Sequence, residues 1–117
     1  MSANTAINLD NGMIHYFTTQ ETATSAPNII SGAGINTDMA IGDIMAVTVI
    51  TVAGSTSHFV DQIRIDGVEA SAGVTTHWIG GSVPTDGGGS GVDTYAFNIL
   101  KTGNATYVVV ANQVKTS

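Results

Sequence analysis

The chain has 117 residues, 43% hydrophobic and only 10% charged, and nine acids against three strong bases leave a net charge of −6. That length holds one core and excludes a second domain. The three scattered cations, Arg64, Lys101 and Lys115, exclude a nucleic-acid partner and disfavour an anionic membrane surface, and the absence of cysteine excludes both a disulfide and a thiolate zinc site.

Taken in chain order, residues 1–12 are polar, without a clear period, and end in the turn signal Asp10-Asn11-Gly12. They read as an N-terminal arm with room for a short strand, and residues 13–117 as one domain. The stretch 13–20 alternates loosely and predicts a first strand. Pro27-Asn28-Ile29-Ile30-Ser31 predicts a short extended piece opened by a strand-edge proline. Residues 32–42 are turn-rich, with room for one helical turn at Thr37-Asp38-Met39-Ala40. Residues 44–53 form the strongest strand. Their β-branched aliphatics and two threonines disfavour a helix, and apolar residues on both parities predict a central strand covered on each side.

Gly54-Ser55-Thr56 turns the chain, and 57–66 alternates, with Phe59, Ile63 and Ile65 sharing one face. Asp66-Gly67 is a type I′ turn signal followed by a short return at Val68-Glu69-Ala70. Residues 74–79 are the next strand, with Val74, Thr76 and Trp78 opposite Thr75, His77 and Ile79. Residues 80–91 are a loop with six glycines and Pro84. Residues 93–101 place Tyr95, Phe97 and Ile99 on one face, Thr102-Gly103-Asn104 closes a hairpin, and 105–114 is the last strand. About seven or eight strands without a helix of normal length predict an all-β fold, an antiparallel β-sandwich of jelly-roll or immunoglobulin-like type.

Motifs that carry chemistry are missing. Gly32-Ala33-Gly34-Ile35-Asn36-Thr37 lacks the third glycine of a dinucleotide fingerprint, and no Gly-Lys-Ser/Thr supports a P-loop. Gly88-Gly89-Ser90-Gly91-Val92 fails the nucleophile-elbow pattern at its last position. Asp61, Asp66, Glu69, Asp86 and Asp93 have no spacing that forces a catalytic or calcium-binding pair; four of the five lie beside turns, where aspartate is favoured for local hydrogen bonding. His15, His58 and His77 sit on separate strands outside any metal-ligand motif. An enzyme is therefore not expected, and neither a cofactor nor a metal. Trp78, Tyr95, Tyr107 and the loop glycines Gly87 and Gly88 are the candidate ligand or interface residues. Aromatic faces can stack on sugars, although core or subunit-interface packing is the better reading of Trp78.

Charged residues at less than half their usual share leave Thr, Ser, Gly and Asn as the main polar groups. Few ions would have to be desolvated on docking, so a homo-oligomer, a trimer among the options, or an assembly component is expected. The first residues lack the basic start and apolar stretch of a secretion signal, which predicts a product of the cytoplasm. The run 44–53 is about half a membrane span in length.

The order of several short motifs resembles a small β-rich virion module of tailed bacteriophages, marine ones especially. They are Tyr16-Phe17-Thr18-Thr19-Gln20-Glu21-Thr22 with Pro27-Asn28-Ile29, Met39-Ala40-Ile41-Gly42-Asp43, Ile65-Asp66-Gly67, Trp78-Ile79-Gly80-Gly81-Ser82-Val83-Pro84, Asp93-Thr94-Tyr95-Ala96-Phe97 and Lys101-Thr102-Gly103-Asn104-Ala105-Thr106-Tyr107. The likeness spans roughly residues 13–114. It implies a non-enzymatic virion structural protein made in the host bacterial cytoplasm. The first expectation is a capsid decoration or cement subunit bound to the major capsid protein or another virion protein. The alternative is a tail-fibre or head-fibre domain binding host-surface glycans. No catalytic residues carry over.

Overall fold

The computed structural model describes residues 1, 5–54, 58–69 and 72–116. Among them, eight strands, a 3-10 turn (Leu9–Asn11, after β1) and one α-helical turn follow in the order β1 (Ala6–Asn8), β2 (Ile14–Gln20), β3 (Asn28–Ile30), α1 (Ile35–Asp38), β4 (Ile44–Val52), β5 (Arg64–Ile65), β6 (Val74–Trp78), β7 (Val92–Gly103) and β8 (Thr106–Lys115). They form two sheets: a three-stranded one ordered β1-β3-β5 and a five-stranded one ordered β2-β4-β7-β8-β6.

The chain switches sheets at almost every reversal through its first half. A strand that returns in the opposite layer leaves its successor parallel to its predecessor. Thus β1, β3 and β5 are all parallel and β2 runs parallel to β4; β6 is also parallel to β8, although β7, between them in the chain, belongs to the same sheet. Only β4-β7 and β7-β8 are antiparallel. The eight strands and the all-β character agree with the sequence reading, but the orientation is mixed rather than that of a plainly antiparallel sandwich. The physical reason is connectivity. A parallel pair needs a crossover, and residues 21–43, carrying β3 and α1, form the one between β2 and β4.

Between the layers lies one continuous core. The small sheet contributes a cross-strand row, Ile7, Ile29 and Ile65, each fully buried and in register. Ile35 and Met39 close it at α1, and Val60 and Ile63 from the segment before β5. Facing them are Val47 and Val49 of β4, Tyr95, Phe97 and Ile99 of β7, Tyr107, Val109 and Ala111 of β8, and Val74 and Trp78 of β6. Each large apolar side chain so buried contributes roughly 1.5–3 kcal/mol relative to exposure. Tyr95 stacks on Phe97 at 6.4 Å, and Trp78 meets Phe97 edge-on at 6.1 Å.

The short strand allowed for in the first twelve residues is β1, and it places Ile7 at the centre of the core. Two local expectations change. Of the alternating stretch 57–66, Ser57 lies outside the described residues, and 58–66 yields only β5, because Val60 is buried while Phe59 is half-exposed, so 58–66 is not extended throughout. Strand β4 is covered on one face only, and Ile44 stands 70% exposed on the other. The Asp66-Gly67 turn is as expected, both residues having positive φ (51° and 79°). Beyond Gly54, the turn expected at Gly54-Ser55-Thr56 lies outside the described residues, as does Ala70.

Candidate interaction face

Alternation along the five-stranded sheet sends one parity into the core and the other outward. The registers assemble the outward parity into rows. One row runs Tyr16, Ile50, Thr94, Val114; another runs Ile14, Thr48, Ala96, Asn112. Two more run Ile44, Leu100, Val108, Thr75 and Ala46, Asn98, Val110, His77. No Asp, Glu, Lys or Arg occupies an outward position of these strands; Asp93 and Lys101 have the inward parity. Ile14, Tyr16, Ile44, Val110 and Val114 are all large apolar groups open to solvent on this one face. Scattered apolar residues are normal on a surface, but an uncharged apolar sheet face marks a site of contact.

The charges lie elsewhere, and several of them stitch backbone. Asp10 accepts the Gly32 N–H at 2.7 Å, and Asp43 accepts the Ala40 N–H at 2.9 Å. The Asp66 carboxylate accepts the Ile35 and Asn36 N–H groups, both at 2.9 Å, and so holds the first turn of α1. The Ser31 hydroxyl donates to Asp38. Arg64 faces Glu69 at 3.7 Å. Lys101 is a buried ammonium whose Nζ donates to the carbonyls of Asn36 (2.6 Å) and Met39 (2.9 Å), at the end of α1.

The candidate ligand residues of the sequence reading do not meet on a surface. Tyr95 and Tyr107 are fully buried, and Trp78 nearly so. The Tyr95 hydroxyl accepts from the Val60 N–H (3.2 Å) and from Gln113 Nε2 (3.0 Å). Burial pushes the Tyr95 phenol above its usual value despite these bonds. Tyr107 is raised likewise, by burial first and then by the charge of Asp66. Gly87 and Gly88 pass beneath β7, where both oxygens of the buried Asp93 carboxylate accept the Gly88 N–H. A Cβ at Gly87 would stand 2.0 Å from the His58 carbonyl oxygen, so only glycine permits that approach.

Asp86 is bound to Lys115 at 2.8 Å, a hydrogen bond that raises the lysine's pKa, and the Asp86 carbonyl accepts from Gln113. No group of three His, Cys, Asp or Glu able to hold a metal occurs among the described residues. Nor is any helix there long and apolar enough to cross a membrane. An open cleft of about 220 Å³, lined by Thr76, His77, Trp78, Gly81 and Val83, lies along the β6 edge. Among the described residues the buried Thr76 Oγ1 has no hydrogen-bond partner.

Comparison with known proteins found no relative. No family model, no curated protein and no solved structure matches this chain. The geometry therefore stands alone. Among the described residues it offers an extended uncharged face and a small cleft, while Asp10, Asp43, Asp66 and Asp93 are tied to backbone N–H groups. The sequence reading passed over Ile14, Tyr16, Ile44, Val110 and Val114 as a group. The signal for them was there: β4 and β8 carry apolar residues on both parities.

Proposed function

We propose that this chain is a non-enzymatic structural subunit of a bacteriophage virion, a capsid decoration or cement protein that binds the shell lattice and stabilises it. The observation that carries the reading is the outward face of the five-stranded sheet, apolar and without a single formal charge among the described residues. A face of that kind is unfavourable in water and favourable when covered, which suits a subunit of an assembly. Five carboxylates support the non-enzymatic part: Asp10, Asp43, Asp66 and Asp93 are engaged with backbone N–H groups and Asp86 with Lys115. Binding only the assembled shell, such a subunit stabilises it by mass action. The motif order shared with phage virion modules supplies the kind of assembly.

The cleft beside Trp78 favours a second reading, a tail-fibre or head-fibre domain that binds host-surface glycans. Copy number separates the two. Quantitative mass spectrometry of purified virions should find this protein in numbers comparable with the major capsid protein. A few copies per particle would overturn the shell reading, and saturable sugar binding at the cleft would then support the fibre domain. Absence from purified particles would sink both.

A further inference from the structure

We propose that the outward face of the five-stranded sheet is the interface of a homodimer, two copies stacked sheet on sheet about a two-fold axis that crosses β7. It deepens the functional reading, which rests on the same face: the second copy covers that face, and the dimer is then the unit that docks on the particle through its other surfaces.

Four observations point to a second copy as the occupant. The first is area. The five strands hold 7, 9, 12, 10 and 5 residues in sheet order β2, β4, β7, β8, β6. At a rise of about 3.3 Å per residue and a spacing of about 4.8 Å between strands, they tile roughly 700 Å². A stable protein–protein interface takes about 800 Å² from each partner.

The second is self-complementarity. In a two-fold interface a residue near the axis meets its own copy. The polar groups here are Thr48, Thr75, Thr94, Asn98, Asn112 and His77, and each hydroxyl, amide or neutral imidazole both donates and accepts. A carboxylate or ammonium at these positions would face its like. None is present, so the face is composed entirely of side chains that can oppose themselves.

The third is charge. Two copies at −6 each repel, and an acidic protein would recruit a cationic partner through its acids. The acids lie off this face, which offers a basic partner nothing, while the uncharged sheet is where two acidic molecules approach at least electrostatic cost.

The fourth is the pattern of β4 itself. Ile44, Val47, Val49, Ile50 and Val52 place aliphatics on both parities, the signature of a strand covered on both faces. The chain's own small sheet covers one face of it.

Sedimentation velocity of the full chain at micromolar concentration should find a dimer. Val110→Glu and Ile44→Glu each bury an unpaired carboxylate in both halves of the interface and should weaken association by at least about a hundredfold. Ile41→Glu, exposed but in the turn before β4, should leave the dimer intact. Because the chain has no cysteine, a single introduced thiol reports position cleanly. Ala96→Cys on β7 should be captured as a covalent dimer by a short bis-maleimide, and Ile41→Cys should not, which holds even if the glutamate variants fail to fold. A monomeric wild type, a dimeric Val110→Glu, or no capture through Ala96→Cys overturns the proposal. None of these outcomes alters virion copy number, which tests the functional reading separately.

Discussion

Lys101 and Tyr95 show what single polar atoms contribute to this core. The Lys101 side chain is buried with no carboxylate partner among the described residues, and its Nζ rests on two carbonyls at the end of α1. Lys101→Met keeps the stem's volume but leaves both carbonyls without that donor, so stability should fall by about 2–3 kcal/mol in urea titration. Lys101→Arg should not restore it, because the planar guanidinium fork cannot direct N–H groups onto the same two carbonyls from the same stem. Tyr95 predicts an alkaline limit. Its pKa is raised by burial, so the folded state keeps the phenolic proton after the unfolded chain has begun to lose it near the ordinary value of 10.0. Unfolding then releases a proton. Stability should be complete below pH 10 and decline as pH rises above it towards the folded-state value, with Tyr107 adding to the slope. Tyr95→Phe should be less stable at neutral pH, by about 1–2 kcal/mol, for loss of the acceptor used by Val60 and Gln113. Its deficit should narrow above pH 10. Urea midpoints measured against pH, with phenolate absorbance as the reporter, check both statements.

At the scale of elements, α1 cannot form alone: it has four residues, and its N-cap position, Gly34, supplies no side-chain cap. Asp66 caps it from a turn thirty residues away, while the Asn36 side chain, which donates to Asn104 and accepts the Ala105 N–H, ties it to the β7-β8 turn. Asp66→Ala should therefore cost about 2–3 kcal/mol, combining two lost charge-assisted bonds with a left-handed backbone that alanine disfavours. Asp66→Asn keeps an acceptor and tolerates positive φ, so it should cost about half as much; thermal unfolding of the pair measures the difference. The same elements mark how far the sequence could be read. Strand positions and turn chemistry were legible, since β2, β4, β7, β8 and the Asp66-Gly67 turn follow from alternation and glycine placement. The partner of each strand was not. A reversal into the opposite sheet carries the same turn residues as a hairpin, and only tertiary contact decides between them. The burial of Tyr95 was legible from its parity with Phe97 and Ile99. That of Tyr107 was not, because both faces of β8 are apolar.

At the scale of the whole molecule, an uncharged apolar face on an acidic body fixes the sign of the response to salt. Association through that face makes no ion pair, so the long-range term between two copies is repulsion between net charges of −6. Salt screens that repulsion, the Debye length shrinking from about 30 Å at 0.01 M to about 8 Å at 0.15 M. The dimer should therefore tighten as ionic strength rises. Acidification is the poorer test, because protonation of the acids removes the net repulsion while protonation of a histidine on the face, His77, adds charge to the interface. A complex held by the acids, with a basic protein or with the cations of a lattice, responds the other way: it weakens with salt and with protonation. Sedimentation equilibrium across a salt series thus distinguishes the two kinds of contact without any mutation. A dimer that loosened between low and physiological salt would mean that the acids, and not the sheet face, hold the copies together.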